Sequence, residues 1–146
     1  MSKLLWLLAP VIAGMAQPVI WAMNLRVARD SGAMEASMVL HLVGGLAGGA
    51  LLAAGLAGKP GLGGLTAVPW WAFLAGAIGV SIMAGLNKAV PVVGLALSMS
   101  VLVAAQLGFS MLFEHFGWLG LPVHAATPGR MVGVALLVAG AWLVSR

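Results

Sequence analysis

The sequence predicts an all-α integral membrane protein, a bundle of five transmembrane helices, and three observations carry that expectation. Hydrophobic residues make up 62% of the 146-residue chain and charged residues only 7%, against roughly 25% charged in a soluble domain. The apolar residues gather into five long runs, each near the about 20 residues that a helix needs to cross a hydrocarbon core of about 30 Å. Backbone polar groups in lipid have to be satisfied within the protein, so runs of this length read as helices.

The first span covers residues 4–23 and is closed by Asn24, Arg26, Arg29 and Asp30. Lys3, a Leu-rich run and Gly14-Met15-Ala16 imitate a secretory signal with a cleavage site. The apolar run continues through Pro18 to Met23, however, so it reads as an uncleaved span. The second span, residues 36–57, ends in the breaker cluster Gly58, Lys59, Pro60 and Gly61, with Gly63 and Gly64 beyond. The third, residues 70–87, opens on Pro69-Trp70-Trp71, where an aromatic belt would sit. Asn87, Lys88 and Pro91 read as a very short turn into the fourth span, residues 91–113. Glu114, His115 and Gly117 open a longer loop through Pro122, His124 and Pro128. The last span, residues 129–145, has a short apolar centre between Arg130 and Arg146, so both arginines are expected to snorkel toward headgroups. Residues 1–146 thus form a single transmembrane domain with no soluble appendage.

The basic residues divide almost evenly. Lys3, Lys59 and Arg130 fall on one side of the membrane, and Arg26, Arg29, Lys88 and Arg146 on the other. Orientation follows an excess of Lys and Arg in cytoplasmic loops, so a three-to-four split predicts a chain able to insert both ways up. The net charge of +4 is spread singly between apolar runs, and no basic patch with interleaved aromatics points to nucleic acid. Cysteine is absent, which removes disulfides and thiolate metal sites. No metal site or nucleotide-binding motif is present, so no cofactor is expected and energy would come from an ion or solute gradient.

Polar groups at membrane depth are expensive and so are candidates for function. Gly14, Gln17, Trp21 and Asn24 recur at steps of three and four on one helix face. They read either as a cavity lining or as hydrogen-bond partners of a neighbouring helix. Pro18 removes one backbone bond there and would bare the carbonyl of Gly14. Ser37, His41 and Gly45 stack on the second helix. His41 is the one intramembrane titrating group, and histidine in water titrates near about 6.5, but a neutral hydrogen-bonding role is the favoured reading. Ser98, Gln106 and Ser110 form a second stripe on the fourth helix, and Gln106 would face Gln17 or a copy's equivalent. Gly44, Gly45, Gly48 and Gly49 make two overlapping small-xxx-small pairs, which suit either packing within the chain or a dimer contact. The acids Asp30, Glu35 and Glu114 all lie near helix ends, which argues against proton exchange at a central carboxylate. Glu114 and His115 are adjacent, so a cap or interfacial hydrogen bond is expected of them rather than catalysis.

With these residues in place, the chain resembles the YdcZ-like family of the drug/metabolite transporter superfamily. The resemblance runs nearly end to end. It is carried by Gly14 with Gln17, Asn24-Leu25-Arg26, Leu42-Val43-Gly44, Pro69-Trp70-Trp71 with Gly76 and Gly79, Gln106, and Glu114-His115-Phe116-Gly117. His41 stands where the family pattern often has Phe, and Glu114 where it often has Asp, which hints at a specialised subgroup. The resemblance implies a bundle like that of small multidrug-resistance proteins, located in the inner (cytoplasmic) membrane. It also implies relatives that occur as single chains, pairs or fused halves of opposite orientation. It supplies no substrate.

The expected function is a subunit of a secondary-active exporter of a small metabolite or drug-like solute. It would work by alternating access in an antiparallel dimer with itself or a sister chain. Gln17, Trp21, Asn24 and Gln106 are the expected substrate-binding residues, with His41 as a proton or substrate contact, and the face of Trp21 suits a cationic or apolar solute. The alternative is a non-transporting membrane scaffold or accessory subunit of a partner complex. An enzyme is the weakest reading, since Ser81, Ser98 or Ser110 would have to meet His41 beside an oxyanion site, and no motif supports that.

Overall fold

The computed structural model describes residues 7–56, 58, 61–144 and 146. Lys3 and Lys59, and with them two of the seven basic positions used in the charge argument, lie outside the described residues. Among the described residues five α-helices follow in order: α1 Leu8–Ser31, α2 Ala33–Ala53, α3 Leu74–Val93, α4 Leu95–Phe116 and α5 Pro128–Val144. Two 3₁₀ segments, Gly61–Ala67 and Trp70–Phe73, join α2 to α3, and a third, Trp118–Gly120, follows α4. Among the described residues four helical stretches are long and apolar enough to cross a membrane, Trp70–Phe73 being continuous with α3 in one of them, and α5 is a shorter apolar helix. At about 1.5 Å per residue, the 24 residues of α1 reach about 36 Å, whereas the 17 of α5 reach about 26 Å.

Helix ends depart from the expected bounds in a consistent direction. The first helix does not stop at the charges but runs eight residues past Met23 to Ser31, carrying an Arg26–Asp30 ion pair of 3.4 Å one turn apart and a 2.9 Å bond from Ser31 Oγ to the Val27 carbonyl. The expected turn at Asn87, Lys88 and Pro91 is not a turn. α3 continues through all three to Val93. Pro91 lies in the last turn of α3, where its missing N–H costs only the bond to the Asn87 carbonyl. Helical hydrogen bonding continues past the charges and the proline that bound the apolar runs.

What breaks both helices is glycine. Gly32 (φ 106°, ψ 159°) alone separates α1 from α2, and Gly94 (φ 87°, ψ 154°) alone separates α3 from α4. This region of backbone space is essentially restricted to glycine. Each closes one helix with its N–H, to Ala28 O at 3.0 Å and Val90 O at 2.8 Å. Each opens the next with its carbonyl, to Ala36 N and Ser98 N, both at 3.1 Å. The two turns are conformational twins.

The chain divides into two compact units, Met1–Lys88 and Ala89–Arg146. In the first unit α1 packs on α2 as a hairpin, and its interior is small: Trp21, Ala36, Ser37, Asn24, Ala84 and Asn87 are buried. In the second unit α4 packs on α5. Most large apolar side chains of both units face outward, as befits lipid or partner contact.

Candidate functional site

The polar groups of the first unit converge at the Gly32 end. Asn24 Nδ2 donates to Asn87 Oδ1 at 2.9 Å, and Asn87 Nδ2 donates to the Ala33 carbonyl at 3.0 Å, which ties together α1, α2 and α3. One turn along, Ser37 Oγ donates to the Val80 carbonyl at 2.7 Å. His41 Nδ1 lies 2.8 Å from the Ser37 carbonyl, which can only accept, so Nδ1 carries the proton. Its Nε2 faces Gly79, where a Cβ would stand 3.2 Å away. Trp21 and Asn24 are therefore turned into the packing, and Asn24 also edges a cleft of about 270 Å³ between α1 and α2 with Ile20, Met23 and Val43. Gln17, the tenth of 24 residues in α1, is exposed and has no hydrogen-bond partner among the described residues.

In the second unit the four-residue spacing of Gln106, Ser110 and Glu114 sets them on one face of α4, lining an open cleft of about 490 Å³ with Phe109, Phe113 and Leu121. Gln106 is the twelfth of 22 residues, at the middle of its span. Ser98, expected on the same stripe, is instead buried and bonded back to Gly94 O at 2.8 Å. At the end of α4 the loop is fastened down. Glu114 is ion-paired with Arg130, whose other nitrogen donates to His124 O and Ala125 O, both at 3.2 Å. The His124 N–H donates to Glu114 O at 3.0 Å, and the Ala126 N–H donates to His115 Nδ1 at 3.2 Å. Glu114 and His115 thus both bond to the loop that follows α4. Arg130 finds its partner in a carboxylate 16 residues back. Arg146 lies over the Trp142 ring at 4.3 Å.

Sequence reasoning took Asn87 for a turn residue and missed the Glu114–Arg130 pair. One signal for Asn87 was available, since the chain has only two asparagines and they sit at the same end of two spans. The Arg130 pairing depends on the path of the 117–127 loop, which has no periodicity to read.

A family profile described as "Putative inner membrane exporter, YdcZ" matches residues 5–143. The chain belongs to this family. It is also 31% identical to the inner membrane protein YdcZ of Escherichia coli (strain K12), over all of this chain and 98% of that one. No solved structure matches the chain. Membership in the YdcZ family, together with the apolar helices, makes the chain a multi-pass protein of the inner membrane and a transporter by class. The residues that carried the resemblance in sequence have distinct structural places: Asn24 in the buried amide pair, Gly79 under His41, Gln106 at the centre of α4 and Glu114 in the ion pair.

Proposed function

We propose that the chain is one half of a secondary-active exporter of a small metabolite or drug-like solute, completed by a second copy or a sister chain in the opposite orientation. The observation that carries this reading is the pair of mid-span glutamines. Gln17 in the first unit and Gln106 in the second are exposed on their helices and have no partner among the described residues. An amide left unpaired in hydrocarbon costs about 2–7 kcal/mol, a penalty that a facing copy or a hydrated solute path removes. Gln17 and Gln106 are the solute contacts. Trp21, Asn24 and His41 frame the path, Asn24 being bonded to Asn87 of a neighbouring helix and His41 to the Ser37 carbonyl of its own. The open small-residue face of α2 supports pairing. No described atom lies within 4 Å of a Cβ placed at Gly44, Gly45, Gly48 or Gly49.

All five helices span in this reading, α5 by local thinning of the bilayer. The odd number leaves the termini on opposite sides, and the weak charge bias permits both orientations. The test is flux of fluorescent amphipathic dyes in inverted vesicles. Gln17→Leu and Gln106→Leu should insert at wild-type levels and lose flux. Retained flux in both variants would remove the glutamines as solute contacts, and wild-type flux no higher than in vesicles without the protein would sink the transporter assignment in favour of a scaffold. Cysteine labelling of Lys3→Cys and Arg146→Cys in intact cells reports assembly: partial labelling of both termini is expected for copies of one chain, and a single accessible terminus points to a sister chain.

A further inference from the structure

The cleft of Gln106, Ser110 and Glu114 is more specific than a polar stripe. Five helix or turn serines and threonines satisfy their hydroxyls locally, Ser31, Ser81, Ser98 and Ser100 with the carbonyl four residues earlier and Thr66 with Gly63 O, while Ser37 reaches Val80 O of another helix. Ser110 does not, although the carbonyl of Gln106 lies one turn behind it in the same helix. Among the described residues its hydroxyl has no partner, and neither has the amide of Gln106. Two adjacent hydrogen-bonding groups are thus left open on one wall. The floor of that wall carries no net charge, since Glu114 is matched by Arg130. Arg130 is also anchored to two loop carbonyls, which hold its charge beside the carboxylate.

A second cleft lies between α4 and α5, about 750 Å³, lined only by apolar and aromatic residues including Val101, Ala105, Val138 and Trp142. Phe109 lines both clefts. A polar pocket without net charge and an apolar groove share one aromatic wall, and each volume lies in the range of small-molecule sites.

We propose that the second unit binds an uncharged amphipathic solute, with a hydroxyl or amide head against Gln106 and Ser110 and an alkyl or aryl body in the α4–α5 groove. This assignment names a substrate class for the exporter and rests on the reading of Gln106 as a solute contact.

The test uses the full chain in phosphatidylethanolamine–phosphatidylglycerol vesicles and a set of decyl probes. Each probe carries a diazirine in the chain, and they differ only in the head: hydroxyl, primary amide, ammonium, carboxylate or none. Photolabelled peptides are mapped by mass spectrometry. The hydroxyl and amide probes should label residues 97–112 saturably, with half-saturation about tenfold below that of the two charged probes, and unlabelled decanol should compete. Gln106→Leu and Ser110→Ala should each weaken the hydroxyl probe about fivefold, as loss of one hydrogen bond does, with helicity unchanged by circular dichroism. Equal half-saturation for all five heads, or for both variants and wild type, would overturn the assignment, because labelling would then report partition alone. Competition by a diacyl phospholipid as effective as that by decanol would overturn it in favour of a lipid site. So would disulfide capture of two copies through Ser110→Cys that blocks labelling, which makes the stripe a packing face. Head-selective binding without dye flux leaves this site standing and removes the transporter reading; Gln17- and Gln106-dependent flux without head-selective labelling does the reverse.

Discussion

Removing the Asn87 side chain tests whether the first unit is held by its buried amides. Asn24 and Asn87 are 4% and 6% exposed, and Asn87 holds two partners at once, Asn24 Nδ2 at 2.9 Å and the Ala33 carbonyl at 3.0 Å. Asn87→Ala therefore leaves a donor and an acceptor without their side-chain partner. A side-chain hydrogen bond contributes about 0.5–1.5 kcal/mol net in proteins, and in membrane bundles the measured average is nearer about 0.6 with a ceiling near about 1.7. Two bonds give an expected destabilisation of about 1–3 kcal/mol for Asn87→Ala. Asn24→Ala breaks one and should cost about half as much. In a double-mutant cycle the shared bond should appear as a coupling of about 0.5–1.5 kcal/mol. The assay is reversible unfolding in mixed bicelles titrated with sodium dodecyl sulfate, followed by tryptophan fluorescence, since Trp21 lies one turn from Asn24. A coupling under about 0.3 kcal/mol would mean that the amides do not stabilise this unit through each other. Asn24 would then return to being primarily a solute contact.

Three further outcomes follow from the geometry. Gly32→Ala and Gly94→Ala each force a side chain into backbone space that only glycine occupies freely, and each should destabilise by about 1–3 kcal/mol in the same unfolding assay; Gly63→Ala, with open space around it and no positive φ, serves as the control. Gly79→Ala should push the His41 ring by a few tenths of an ångström and lower stability, whereas in a His41→Ala background the same change should cost nothing measurable. Arg130→Ala removes the partner of Glu114 and two carbonyl contacts, so amide exchange across residues 121–127 should quicken several-fold while that of α1 and α2 is unchanged.

The spans were legible because lipid imposes a length. Runs of about 20 apolar residues can do little but form helices there, and four of the stretches meet that requirement on length and composition. Helix ends were not legible from the same signal. Arg26, Asp30, Asn87 and Lys88 mark loss of apolarity, but loss of apolarity does not end a helix, and Ser31 and the Arg26–Asp30 pair keep α1 going. The stops are single glycines whose role depends on a dihedral angle, and Gly32 and Gly94 look in sequence like any of the other 19 glycines. Of the polar stripes, the face itself was readable from spacing. Which of its members are spent on neighbouring helices was not, since that depends on what packs opposite.

That last distinction separates two kinds of polar residue in this chain. Asn24, Ser37, Asn87 and Ser98 are buried and bonded, and they pin helices to one another or to the Gly94 turn. Gln17, Gln106 and Ser110 lie in spans of the same kind, exposed and unbonded among the described residues. If polar side chains served only to hold this fold together, there would be no reason to place two glutamines near mid-span, where an unpaired amide is most costly. In the proposed reading, something outside the single chain meets them. An opposed copy would bring its own Gln17 and Gln106 to the same depth, because an antiparallel pair exchanges the two sides of the membrane but keeps the midplane. Residues near mid-span are therefore the ones that can share a site in such an assembly. The Asn24–Asn87 pair and the Glu114–Arg130 pair lie nearer the ends of their helices and are already bonded within the chain.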